Sequence, residues 1–218
     1  MSAASAKFIT FEGGEGSGKS TQARRLAARL QKDGVPTVLT REPGGSPFAE
    51  RVRALLLDPA TPAHGPLAEA LLFSAARADH LNVAIRPALA AGAWVICDRF
   101  ADSTRVYQGY AGKVPAGVLD ALELAVIGET RPDLTLVVDM DVGEGLARAH
   151  ARRVAKTERN DADRFEGRDR AFHETLRQGF LDLAKANPKR CVVIDGSGSE
   201  EDVAARVWAA AQRVLGLG

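Results

Sequence analysis

Five short apolar runs recur along the chain: Phe8 to Glu12, Val35 to Thr40, Trp94 to Cys97, Leu134 to Val138 and Cys191 to Ile194. Each is nearly continuous rather than alternating, as strands covered on both faces are. Between them, apolar residues return with helical spacing. Ala23, Leu26, Ala27 and Leu30 mark a helix from about Lys19 to Asp33, stopped at Gly34. Leu67, Leu71, Leu72 and Ala75 mark a second, which Pro87 is expected to break or kink. Phe172, Leu176, Phe180 and Leu183 mark a third, and Val203, Val207, Ala211 and Val214 a fourth. Alternating strand and helix patterns predict an α/β fold: a five-stranded parallel sheet with helices on both faces.

The first strand runs into Gly13-Gly14-Glu15-Gly16-Ser17-Gly18-Lys19-Ser20-Thr21 and then into the first helix. Gly13, Gly18, Lys19 and Ser20 occupy the fixed positions of Gly-x-x-x-x-Gly-Lys-Ser, in the strand, loop and helix context that a phosphate-binding P-loop requires. Glycines let the backbone turn tightly and bring its N–H groups against phosphate oxygens. The helix opening at Lys19 adds the positive end of its dipole. Lys19 is expected to reach the β- and γ-phosphates of ATP, and the Ser20 hydroxyl to ligate Mg²⁺. Four fixed positions match by chance in roughly one per cent of chains this long, and the flanking strand and helix lower that further.

Composition narrows the partners. A net charge of +1 over 218 residues gives no reason to expect nucleic acid or an anionic membrane surface. No apolar stretch approaches the ~18 residues of a membrane span, and Met1 to Ala6 lacks the apolar core of a signal peptide. Cys97 and Cys191 lie in apolar runs and are expected to be buried free thiols in a reducing cytoplasm. The four histidines show no metal-ligand spacing. The length suits one domain, residues 1–218.

Ligands of open α/β sheets bind beyond the carboxyl ends of the strands, where Asp98, Asp139 and Asp195 stand. Asp139 and Asp195 are as readily turn or helix caps. Asp98, followed by Arg99, adjoins the P-loop if the first and third strands are neighbours. Arg41 opens the loop Thr40-Arg41-Glu42-Pro43-Gly44-Gly45 at another strand end, and is either solvated or a phosphate ligand. Phe73 and Arg77, four apart, share a helix face; spacing alone favours a core ring and an ion-paired arginine. Leu146 to Arg164 carries Arg148, His150, Arg152, Arg153, Lys156, Arg159 and Arg164. With few large apolar residues it is expected to be a mobile basic lid, over about 148–165, able to close over a transferring phosphoryl group.

Phe11-Glu12-Gly13, Glu15 within the P-loop, Thr40 to Gly45, Phe73-Ser74-Ala75-Ala76-Arg77, Asp98-Arg99, Ser103 to Gly109 and Arg131 to Leu134 stand in one order along nearly the whole chain. In these the sequence resembles the thymidylate kinase family, specifically the bacterial subtype whose catalytic arginine comes from the lid. The resemblance implies a P-loop NTPase-type three-layer fold, with ATP as phosphoryl donor, Mg²⁺ as cofactor, dTMP as acceptor and a homodimer as the assembly. It implies that Arg41 and Arg99 hold the acceptor's phosphate and that Glu15 approaches the sugar 3′-hydroxyl. Phe73 stacks on thymine and Arg77 donates to its O4. Thr104 and Gln108 sit near the base, and Tyr107 lies against the sugar, disfavouring a 2′-hydroxyl. Asp98 stands behind the Mg²⁺ on Ser20, and Arg152 or Arg153 approaches the γ-phosphoryl. His150 departs from the family pattern at a position where a lid arginine is common, and Val154 to Asp161 reads as a lengthened lid.

Overall fold

The computed structural model describes residues 6–62, 64–155, 165 and 167–216. Its five strands are β1 (Phe8–Glu12), β2 (Thr37–Arg41), β3 (Trp94–Asp98), β4 (Leu134–Asp139) and β5 (Cys191–Asp195). All pair in parallel, in the order β2-β3-β1-β4-β5. β1 therefore lies between β3 and β4, where the direction of winding reverses, and its carboxyl end opens into the crevice that such sheets offer to ligands.

Side chains alternate along β1. Ile9 and Phe11 pack with α1 (Lys19–Lys32) and α9 (Glu200–Leu215) on one face. Phe8 faces the other side, against Phe100, Leu81 and Ile85. Two helical layers thus sandwich the sheet. α1 ends as its glycine predicts: Gly34, at φ +80°, donates to Gln31 O, and Val35 donates to Leu30 O at 2.9 Å, the paired bonds of a Schellman cap. That cap takes Val35 out of the second strand, and Pro36 has no N–H for the ladder, so β2 starts at Thr37 rather than Val35.

Three segments carry structure that periodicity alone did not assign. α2 (Pro47–Leu57) follows the Thr40–Gly45 loop in a stretch to which periodicity assigned no element. Its signals are local: Ser46 caps Ala49 N, Pro47 takes the first turn, and Ala49, Val52 and Leu56 bury one face. The helix from α3 (Pro66–His80) is not broken before Pro87. It widens into a π-helical turn over Leu81–Ile85 and continues as α4 (Arg86–Ala90), absorbing the N–H that proline lacks. The basic segment begins inside a helix, α7 (Val142–Ala155), which carries Arg148, His150, Arg152 and Arg153. It packs through small residues, Ala149 being 4% exposed, so large apolar residues were not needed. Lys156, Arg159 and Arg164 lie outside the described residues.

Candidate active site

The P-loop follows β1 and packs backbone to backbone on its surroundings. A Cβ on Gly16, whose φ is +68°, would stand 1.8 Å from the Gly145 carbonyl oxygen of α7; one on Gly145 would stand 2.5 Å from the Glu15 carbonyl oxygen. Lys19 is buried across the loop and donates to Gly14 O at 2.6 Å, while Ser17 Oγ closes the same turn at 3.0 Å. Burial and then Arg99 lower the Lys19 ammonium to about 8, against the pull of Glu15, Asp98 and Glu12. The Ser20 side chain at the start of α1 is exposed.

Beside the loop, the register Phe11↔Asp98 fixes β3. Asp98 carries a buried carboxylate oxygen, Oδ1, without a hydrogen-bond partner. Arg99 follows in the left-handed region at φ +67°, which is strained for a side chain of this size. Several bonds hold it there. Arg99 N donates to Phe11 O at 2.9 Å. Glu12 accepts from Phe100 N at 2.8 Å and from Ser103 Oγ at 2.6 Å. The Arg99 guanidinium then spans the site, donating to Gly13 O and Ser103 Oγ, both at 3.2 Å, and to Glu15 Oε1 at 2.5 Å. Tyr107 OH donates to the same Glu15 oxygen at 2.7 Å. Burial raises the Glu15 carboxyl, but Arg99, Lys19 and the Tyr107 hydroxyl outweigh it and bring it to about 2. Glu12 goes the other way: burial and then Asp102 push it up to about 8, despite Ser103 and Arg99.

A pocket extends from this cluster, lined by Glu15, Arg99, Ser103 and Tyr107 at one end and by Phe73, Arg77, Thr104 and Gln108 at the other. α3 supplies Phe73 and Arg77. α5 (Ala101–Thr104) and the π-helical turns of Arg105–Ala111 supply Ser103, Thr104, Tyr107 and Gln108. Arg77 is 3% exposed, its Nε donating to Glu42 Oε2 at 2.7 Å and its Nη2 to Thr104 Oγ1 at 3.1 Å. Gln108 is anchored through its amide nitrogen to Glu69 Oε2 at 2.9 Å. The bland reading of Phe73 and Arg77 is thus half right: the arginine is ion-paired, yet both side chains face a cavity.

Not every expected residue converges here. Arg41 is half exposed and donates to both Glu50 oxygens, at 3.0 and 3.1 Å, and the described residues lining the pocket do not include it. Arg53 of α2 instead donates at 2.8 Å to the carbonyl of Pro43, which does line the pocket. Asp139 is clasped by Arg177 of α8 (Arg170–Ala186) through two bonds of 2.7 and 2.9 Å. Asp195 caps a turn at Ser197 N. Phe165, at the end of the expected lid, lies buried against Tyr107, ring centroids 5.7 Å apart, and against Phe73 at 6.4 Å. Arg53, Glu12, Glu42, Glu69 and Phe165 were missed from sequence. Only Glu12 and Glu42 carried a signal, each standing inside a motif.

A phosphate-cradling loop on a parallel sheet, joined by one arginine to a pocket with an aromatic wall and a buried donor, defines a P-loop phosphotransferase of the nucleotide-kinase class. The model of the family described as thymidylate kinase matches residues 11–207. A thymidylate kinase of Nitrobacter winogradskyi is 55% identical over 94% of this chain and 87% of its own. One of Bradyrhizobium diazoefficiens is 52% identical over 94% and 88%. The crystal structure of thymidylate kinase from Ehrlichia chaffeensis superposes with a TM-score of 0.76, at 37% identity, over 95% of this chain and 99% of that one. The chain belongs to the thymidylate kinase family.

Proposed function

We propose the following division of labour by which this enzyme passes the γ-phosphoryl of ATP to dTMP, giving dTDP and ADP. The observation that carries it is the reach of Arg99, which touches the P-loop at Gly13 and lines the base pocket. One guanidinium can therefore stand between the donor's phosphates and the acceptor's phosphate. The second pKa of a monophosphate is about 6, so near neutral pH the acceptor dianion is already the nucleophile and needs no general base. The protein's task is to bring two mutually repelling anions into line and offset their charge.

Lys19 and the loop's N–H groups hold the ATP phosphates, and Arg99 holds the phosphate of dTMP. Arg41 joins them only by leaving Glu50. Glu15, fixed by Arg99 and Tyr107, approaches the 3′-hydroxyl, and the Tyr107 ring lies against the sugar. Phe73 stacks on thymine. Arg77 donates to O4, and the oxygen of the Gln108 amide accepts from the base. Arg152 or Arg153, on α7, reaches the γ-phosphoryl. The Ser20 hydroxyl and, behind it, the unpartnered Asp98 oxygen suit Mg²⁺, which supplies positive charge at the β- and γ-phosphates.

We place the enzyme in the cytoplasm as one domain per chain and as a homodimer. Cys97 and Cys191 are free thiols, and no described helix is long and apolar enough to cross a membrane. Leu67 and Leu71 of α3 and Leu124 of α6 (Ala116–Val126) are at least half exposed, an apolar face suited to a second copy.

The test is ADP release with ATP, Mg²⁺ and one acceptor at a time. dTMP is expected to lead. dUMP, which lacks only a methyl group, should follow within about 10- to 200-fold, and dCMP, whose 4-amino group faces the Arg77 donor, should be nearly inert. Equal use of dCMP overturns the base pocket. Turnover of thymidine alone overturns the role of Arg99.

A further inference from the structure

Arg77 reads the base only if its N–H groups are free to do so, and the buried surroundings show how they are kept free. Glu42 stands in the loop after β2, 5% exposed, with each carboxylate oxygen engaged by a different partner. Oε2 accepts from Arg77 Nε at 2.7 Å, and Oε1 pairs with His80 Nδ1 at 3.1 Å. His80, at the end of α3, is fully buried, and its other nitrogen, Nε2, lies 2.7 Å from Thr40 Oγ1. An ionised Glu42 can only accept, so the network assigns a hydrogen to Nδ1, while Nε2 and the Thr40 hydroxyl share the second bond. The loop is moulded on this ring: a Cβ on Gly45 would stand 2.3 Å from His80 Nε2.

A carboxylate beside a guanidinium favours two parallel bonds, one to each oxygen. Here only one oxygen is given to Arg77. Of the five N–H donors of an arginine, Arg77 spends one on Glu42 and one on Thr104; the others are committed to neither, and the side chain lines the pocket. Were Oε1 released in this dry interior, the guanidinium already bonded to Oε2 could take it as well, and the second bond would consume a hydrogen needed by the base.

We propose that His80 and Glu42 are positioning residues for base selection: His80 holds back one oxygen of Glu42 so that Arg77 keeps a donor free for the pyrimidine 4-carbonyl. This rests on Arg77 as the reader of the base.

The test compares two amides at position 80 in the full-length enzyme. His80→Asn places an N–H near the former Nδ1 and preserves the bond to Glu42. His80→Gln places it near Nε2 and does not. With saturating ATP, His80→Gln is expected to raise KM for dTMP about 10-fold, leave kcat within about 3-fold and lower the dTMP-to-dCMP selectivity about 10-fold, the scale of one buried hydrogen bond. His80→Asn should keep selectivity within about 3-fold of wild type. Equal loss in both variants, or selectivity unchanged in both, overturns the proposal, because a purely structural role moves melting temperature and active fraction but not the ratio between two acceptors. Should neither variant fold, the near-isosteric Glu42→Gln carries the test. Its amide has a single oxygen, which stays with Arg77 Nε, and no second acceptor to draw off another guanidinium hydrogen. Selectivity is therefore expected to stay within about 3-fold of wild type, and a loss of about 10-fold overturns the proposal. If the wild type itself fails to prefer dTMP over dCMP, the reading of Arg77 falls. If it prefers dTMP while His80→Gln also does so undiminished, only the role of His80 falls.

Discussion

The two halves of the site are built in opposite ways. The donor half is a single stretch, Gly13 to Thr21, whose working groups are main-chain N–H and one lysine. The acceptor half draws side chains from the loop after β2, from α3, from the β3 end and from the turns that follow, spread over the 66 positions from Glu42 to Gln108, and borrows Glu15 from the loop itself. A backbone cradle needs only the right φ values and is fixed by local sequence. A pocket that reads a base must place several side chains against one another, so each depends on a partner outside its own motif. Arg99 joins the two halves, and its own geometry depends on Glu12 and Glu15.

The sharpest way to break that contrast is to remove the one cationic side chain of the donor half. Lys19→Ala is expected to lower kcat about 10³-fold or more while KM for dTMP changes little, the scale at which a cation supplied to a transferring phosphoryl group acts. A matching rise in KM for dTMP would show that the halves are not separable. Next come the arginines. Arg99→Ala should lower kcat/KM for dTMP about 10²-fold, the loss of a charge-assisted contact in a dry site, and Arg41→Ala less than about 5-fold, since its side chain is turned onto Glu50 and away from the pocket lining. Steady-state kinetics with both variants would reverse this ranking if Arg41 swings in on the acceptor.

The smallest effect is a proton. Lys19 is held down at about 8 by burial and by Arg99, and the phosphates of ATP pull it back up. Raising the pKa of a half-protonated amine means uptake, so ATP binding near pH 8 should take up about half a proton. The measurement is calorimetry in buffers of different ionisation enthalpy. Proton release, or none at all, would place Lys19 elsewhere in the loop. The sign for Glu15 is opposite. Its carboxyl is depressed to about 2, so its contribution to stability is present above the ordinary carboxylate range and is lost as pH falls from about 4.5 towards 2.

Legibility followed the same division. Five strands, the P-loop and the helix after it could be read from periodicity and spacing, because each is decided within a dozen residues. β2 shifted by two residues at its start because the cap of α1 claimed Val35. α2 was legible in Ser46, Pro47 and Glu50 but was masked by the glycines before it. The acceptor residues Phe73, Arg77, Thr104 and Gln108 could be placed only through family resemblance, since spacing alone cannot distinguish an arginine facing a cavity from one locked in the core. Glu42, His80 and Phe165 show why: their roles are contacts between distant segments, and Arg77 is at once ion-paired and turned toward the pocket.

The backbone contact between Gly16 and Gly145 bears on how freely the parts of this enzyme can be exchanged. The loop and the root of the arginine-bearing helix touch where neither can carry even a methyl group, so they form one module in three dimensions although 129 positions separate them. A phosphate loop grafted from another NTPase with any side chain at position 16 would unseat α7, and with it Arg152 and Arg153. Transplanting the loop therefore means transplanting the helix.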